Sequence, residues 1–106
     1  LDIGHVYLVP ETMKQFLDVL KTRIIHYHFH DSLIPYEAIK SQPSWMLIDH
    51  HIPGTGIISE EDWHQVFAAM NEVNYQGSAV LEIRPYHPFQ SIALGMNKIK
   101  HFFSNP

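Results

Sequence analysis

Strand-like and helix-like segments alternate along the whole of this chain, and that alternation leaves few folds open. Pro10-Glu11 opens a segment in which Met13, Phe16, Leu17 and Leu20 recur at helical spacing, with Glu11 suited to the first turn and Lys21 and Arg23 to the last. Ile24 to His30 then reads as a strand, β-branched and aromatic, with His and apolar residues alternating at period two; Asp31-Ser32 ends it. Ser59 is placed to N-cap a second helix, with Glu60, Glu61 and Asp62 in its first turn and Trp63, Val66, Phe67, Met70 and Val73 on its apolar face. Asn74 to Gly77 turns the chain, Ser78 to Ile83 reads as a buried-type strand stopped by Arg84-Pro85, and a last helix, about Phe89 to Phe103, is expected to carry Ile92, Met96, Ile99 and Phe103 inward.

The order predicts parallel βα units and an α/β fold in a single domain over residues 1–106. Leu1 to His5 has no cap and reads as the exit of a strand. Three parallel strands with their helices leave sheet faces and edges uncovered, so the expectation is a portion of a longer chain. Residues 33–57 read as a loop punctuated by Pro35, Pro43, Pro53, Gly54 and Gly56, with a short apolar stretch from Trp45 to Ile48. A connection that long is usually functional, and 33–48 is a candidate lid or oligomer contact, with a loop folded on its own core as the plainer alternative.

Composition narrows the function classes. A net charge of −4 among 106 residues offers no basic footprint for nucleic acid. No apolar run is long enough to span a bilayer and no signal peptide is visible, so the default location is cytoplasmic. The chain has no cysteine, which removes thiol catalysis, disulfides and thiolate metal ligands. It has nine histidines, six of them between His5 and His51.

In a parallel α/β protein, functional groups collect at the C-terminal ends of strands and in the loops that follow. Asp2 and His5 follow the first strand, His28 and His30 end the second, Asp49 and His51 lie in the loop after it, and Glu82 nears the end of the third. A mixed set of imidazoles and carboxylates suits Zn²⁺, Mn²⁺, Co²⁺ or Mg²⁺. Each element has a bland counterpart: Asp2 a turn residue, Asp49-x-His51 an Asx turn, His64 and His101 surface histidines. The stronger signals are His26, His28 and His30 on one strand face, of which His28 is preferred for the site, and Glu82 inside an apolar strand, where a carboxylate needs a partner. Arg84 is placed either to hold Glu82 or to bind an anionic substrate group, and His50 reads as a loop residue.

Four motifs in order, Asp2-Ile3-Gly4-His5, His26 to Ser32, Asp49 to Gly56 and Leu81 to Pro85, resemble the xylose isomerase-like TIM-barrel superfamily, and within it the sugar phosphate isomerase/epimerase group. The resemblance implies an eight-stranded (β/α) barrel of which this chain supplies strands six to eight. It implies one divalent metal held by Asp2, His28 and Glu82 together with a Glu of strand five that has no counterpart here. By the same resemblance His5 contacts substrate or a second metal, and Asp49 and His51 match the pair that binds further ions, up to three in all, in the endonuclease IV branch. The implied chemistry is proton transfer beside a carbonyl through a metal-stabilised enediolate, with Glu82 as acid/base and His5 or Arg84 orienting the oxygens of a sugar or sugar phosphate. An endonuclease IV-like phosphodiesterase acting on DNA and a non-catalytic barrel-derived binding protein are the alternatives. The acidic charge, and His50 where the nuclease branch tends to carry Arg, oppose the nuclease. With one metal-binding carboxylate absent, the isolated 106 residues are expected to be inactive, which an epimerisation assay on them checks.

Overall fold

A computed structural model of the chain describes residues 1–33, 49–84 and 88–104. Trp45, Met46 and nearly all of the candidate lid therefore lie outside the described residues.

Strand β1 (His26–Phe29) pairs in parallel with β2 (Ser78–Leu81), with His26 opposite Ser78, His28 opposite Val80 and Phe29 opposite Leu81. On the other side of β1 the start of the chain adds one parallel bridge, Asp2 to His28, and the His28 amide donates to the Leu1 carbonyl at 3.0 Å. Beyond β2 the ladder continues, the Glu82 amide donating to the Phe29 carbonyl at 3.0 Å. Three neighbouring backbones thus present Asp2, His28 and Glu82 side by side. The anticipated strand exit at Leu1–His5 is this bridge, followed at once by the single turn α1 (Ile3–Val6), which Asp2 caps through the His5 amide.

The period-two pattern of β1 separates two chemistries. Tyr27 and Phe29 turn to the helices and are 0% and 4% exposed. Phe29 meets Trp63 and Phe67 edge-on, and Trp63 stacks on Phe102 with ring centroids 5.7 Å apart. Each such buried side chain contributes about 1.5–3 kcal/mol. His26 and His28 occupy the opposite face, their rings 4.7 Å apart.

Helix α2 (Met13–Leu20) starts later than the Pro10-Glu11 expectation. Thr12 and Gln15 form a capping box, which satisfies two amides reciprocally and sets the first turn two residues on. Lys21–Arg23 continues as a 3₁₀ turn, and Lys21 Nζ lies 2.7 Å from Glu72. Helix α3 (Glu60–Glu72) begins as its sequence requires, Ser59 accepting from the Asp62 amide. Tyr7 donates to the Asp62 carboxylate and ties α1 to the start of α3.

Two expectations are corrected in the last third of the chain. Helix α4 (Pro88–Ser104) buries Gly95 and Phe102, whereas Ile92, Met96 and Phe103 are exposed and only Ile99 packs partly against the core. The cause is Gly95: a Cβ there would sit 2.9 Å from Leu81 Cδ2, so the helix settles on β2 along its glycine side and rotates the apolar stripe outward. Strand β2 is shorter than the expected 78–83 and is not buried, with Val80 44% exposed. Only Leu81 is covered by α4, and among the described residues β2 pairs on one side alone.

The turn after β1 is organised by a buried carboxylate. Asp31 is fully buried; its Oδ1 accepts from the Ser32 and Ile58 amides at 2.9 and 3.1 Å, and its Oδ2 from the Gly54 amide at 2.9 Å. Its backbone exchanges two hydrogen bonds with His51, at 2.8 and 3.0 Å. Gly54 has φ +81°, and a Cβ on Gly56 would lie 2.1 Å from the Ser32 carbonyl, so Pro53-Gly54-Thr55-Gly56 closes around Asp31 only with glycine at both places. Asp31→Ala leaves three amides without an acceptor and is expected to cost about 3 kcal/mol or more. Asp31→Asn, which keeps one carbonyl oxygen, costs less. Urea unfolding of the two variants beside the parent measures the order.

Candidate metal centre

Parallel pairing carries the candidate ligands to one rim. His28 Nδ1 is 3.0 Å from Glu82 Oε2 and 3.9 Å from Asp2 Oδ2. These are the three residues that the resemblance assigns to one ion; His28 lies near each of the other two, but the group whose ligand atoms are all within 4.8 Å of one another holds His30 in place of His28 beside Asp2 and Glu82. Side chains of His28 and Glu82 are 37% and 41% exposed, open enough to take a ligand. A recess of about 530 Å³, lined by Leu1, Leu20, Ile24 and Ile25 as well as Asp2, Arg23, His26 and His28, borders two of them.

A second layer extends from Asp2. His5 spans two carboxylates, with Nδ1 3.0 Å from Asp2 Oδ2 and Nε2 3.2 Å from Asp49 Oδ2. Asp49 is almost buried, and its other oxygen lies 2.9 Å from His50 Nδ1 and 3.5 Å from Arg84 Nη2. Arg84 is therefore placed against Asp49 and His50, and its amide donates to the His50 carbonyl at 2.8 Å. Of the two roles considered for it, holding Glu82 is not the contact it makes. His51 forms a backbone bridge with Asp31.

Two histidines carry more of the site than their sequence context indicated. His30 is completely buried and lies 2.5 Å from Asp2 Oδ1 through Nε2. His50 takes a left-handed backbone (φ 59°), stacks on His30 with ring centroids 4.3 Å apart, and brings Nε2 to 3.6 Å from Glu82. The signal for His30 was present in the His26-x-His28-x-His30 alternation. No local signal marks His50, because its position depends on the turn closing around Asp31.

Burial works against ionisation of the Asp2 carboxyl, but the hydrogen bond from His30, followed by that from the His5 amide, helps outweigh it and hold Asp2 below the ordinary 3.8. Asp49 is likewise penalised by burial and held below its ordinary value by His50, His5 and Arg84.

Among the described residues, two groups bring three ligand atoms within 4.8 Å of one another: Asp2, His30 and Glu82, and His5, His30 and His50. Clustered carboxylates and imidazoles fit a divalent cation. The model of the xylose isomerase-like TIM barrel family matches residues 1–101. The chain belongs to that family. No curated protein and no solved structure matches it. The xylose isomerase-like family is largely enzymatic and includes sugar isomerases, epimerases and endonuclease IV, and its members often bind divalent metals. The parallel β1–β2 pair with its crossover helix agrees with part of such a barrel. Among the described residues no helix is long and apolar enough to cross a membrane.

Because the Asp2 and Asp49 pKa values are depressed on folding, the stability they contribute is present in full above about pH 4 and is lost as pH falls through the folded-state values. Urea midpoints of the metal-free protein followed downward from pH 5 are expected to drop over that window. In Asp49→Asn the drop is shallower.

Proposed function

We propose that this chain forms the last three βα units, strands six to eight, of a divalent-metal-dependent isomerase or epimerase acting on a sugar or sugar phosphate. The observation that carries the reading is the convergence of Asp2, His28 and Glu82 from three adjacent backbones, with His28 3.0 Å from Glu82 and 3.9 Å from Asp2. Asp2, His28 and Glu82 are the residues that would hold the ion, and the ion's contribution is to polarise a carbonyl oxygen and the hydroxyl beside it. Glu82 would take the proton from the carbon next to the carbonyl and, for isomerisation, return it to the neighbouring carbon on the same face; epimerisation would need a second acid on the opposite face, the role of the strand-five Glu that the resemblance implies. Arg84 is exposed at the rim beside Asp49 and can neutralise an anionic group of the substrate, and His5 can orient its hydroxyls.

A second reading, an endonuclease IV-like phosphodiesterase, draws support from His5 and Asp49, which lie 3.2 Å apart in position to share a further ion. The net charge of −4 is unfavourable for a DNA backbone.

The two readings separate in one set of assays on the full-length protein loaded with Mn²⁺ or Zn²⁺. Solvent deuterium entering the carbon beside the carbonyl of an aldose, ketose or their phosphates supports the isomerase; cleavage of an abasic duplex without such exchange overturns it. Glu82→Gln is expected to lower kcat about 10²–10⁴-fold with KM little changed. A chelator is expected to stop exchange, with recovery when the ion is returned.

A further inference from the structure

His30 is a charged-type side chain with no exposure to solvent, and both of its ring nitrogens are committed. The His50 amide donates to Nδ1 at 3.2 Å. A nitrogen that accepts an amide hydrogen carries no hydrogen of its own, so the neutral ring must bear its proton on Nε2. That Nε2–H faces Asp2 Oδ1 at 2.5 Å. The ring is also walled in: a Cβ on Gly4 would lie 2.0 Å from Cε1 and Nδ1, and His50 stacks over it at 4.3 Å. Neither rotation nor a change of tautomer is available without moving α1 or the turn that closes on Asp31.

We infer that His30 is a positioning residue rather than a metal ligand: locked in its Nε2–H tautomer by the His50 amide, it donates to Asp2 and so fixes which carboxylate oxygen remains for an ion. The inference rests on the metal-dependent reading only for the ion itself. Asp2 Oδ2 is then the oxygen left to an ion, and it is the one directed toward His28 and His5, at 3.9 and 3.0 Å. The proximity of His30 to Asp2 and Glu82, and to His5 and His50, is on this view that of a support from below. Gly4 and His50 take part without touching the ion: Gly4 by leaving space for the ring, His50 by presenting its amide from a left-handed backbone.

Three measurements on the full-length protein test this. Long-range ¹H–¹⁵N spectra of the metal-free protein above neutral pH are expected to show His30 as the Nε2–H tautomer; the Nδ1–H form overturns the inference. Mn²⁺ or Zn²⁺ titration by calorimetry is expected to give about 10–100-fold weaker binding in His30→Leu, which removes the donor. His30→Gln, whose amide can donate in the same direction, is expected to recover most of that loss. Equal affinity in His30→Leu and the parent overturns the inference, as does ¹¹³Cd–¹⁵N coupling to the His30 ring, which identifies it as a ligand. If the parent binds no divalent ion, the metal-dependent function falls, while the tautomer still decides the role of His30 toward Asp2.

Discussion

Everything in this structure hangs on the two-sidedness of β1. Side chains alternate across a strand, so one four-residue segment serves as floor of the core and wall of the site at once. Tyr27 and Phe29 bind it to α3 through Trp63 and Phe67, and that packing gives the strand a fixed place. His26 and His28 then stand on the other face with no freedom to exchange sides, because a one-residue slip in pairing would place imidazoles in the aromatic core. The parallel ladder transmits this placement to its neighbours, setting Asp2 beside His28 and Glu82 just past Phe29.

A second constraint acts where β1 ends. The Asp31 carboxylate gathers amides from Ser32, Gly54 and Ile58, and a buried charge so satisfied is an anchor rather than a reactive group. Through it, the turn from Asp49 to Ile58 is drawn back over the end of the strand. Asp49 reaches His5, His50 covers His30, and the His50 carbonyl receives the Arg84 amide. Loop and strand ends are therefore one assembly, and Asp31 serves the site without facing it.

The outcome is a graded arrangement of carboxylates and imidazoles. His28 and Glu82 are partly open, Asp2 is half-covered, and Asp49 and His30 are buried. Buried polar groups are stable in such a place only as a network in which each has a partner, and such networks hold their members in one geometry. That suits a site in which the open members bind an ion and substrate while the covered ones hold them in register. Membership of the xylose isomerase-like TIM barrel family gives this arrangement its chemical context.

Much of this was legible in the chain itself, for reasons that are local. The alternation of strand and helix, the Ser59 cap, the His–apolar period of β1 and the four ordered motifs depend on neighbours within a few residues, and sequence by itself determined them. Asp2, His28 and Glu82 stood among the candidates because strand ends in a parallel sheet face one rim whatever the details above them, and the family resemblance singled them out as one ligand set. Four features were decided only by tertiary packing. The inward face of α4 follows from Gly95 seating against Leu81, and periodicity reveals an apolar stripe but not whether another surface covers it. The partner of Arg84 and the place of His50 follow from a turn closed by Asp31 from more than 20 residues away. His30 was visible as one of three alternating histidines, but its separation from His28, one supporting and one open, depends on Gly4 and the His50 amide, which meet only when the chain is folded.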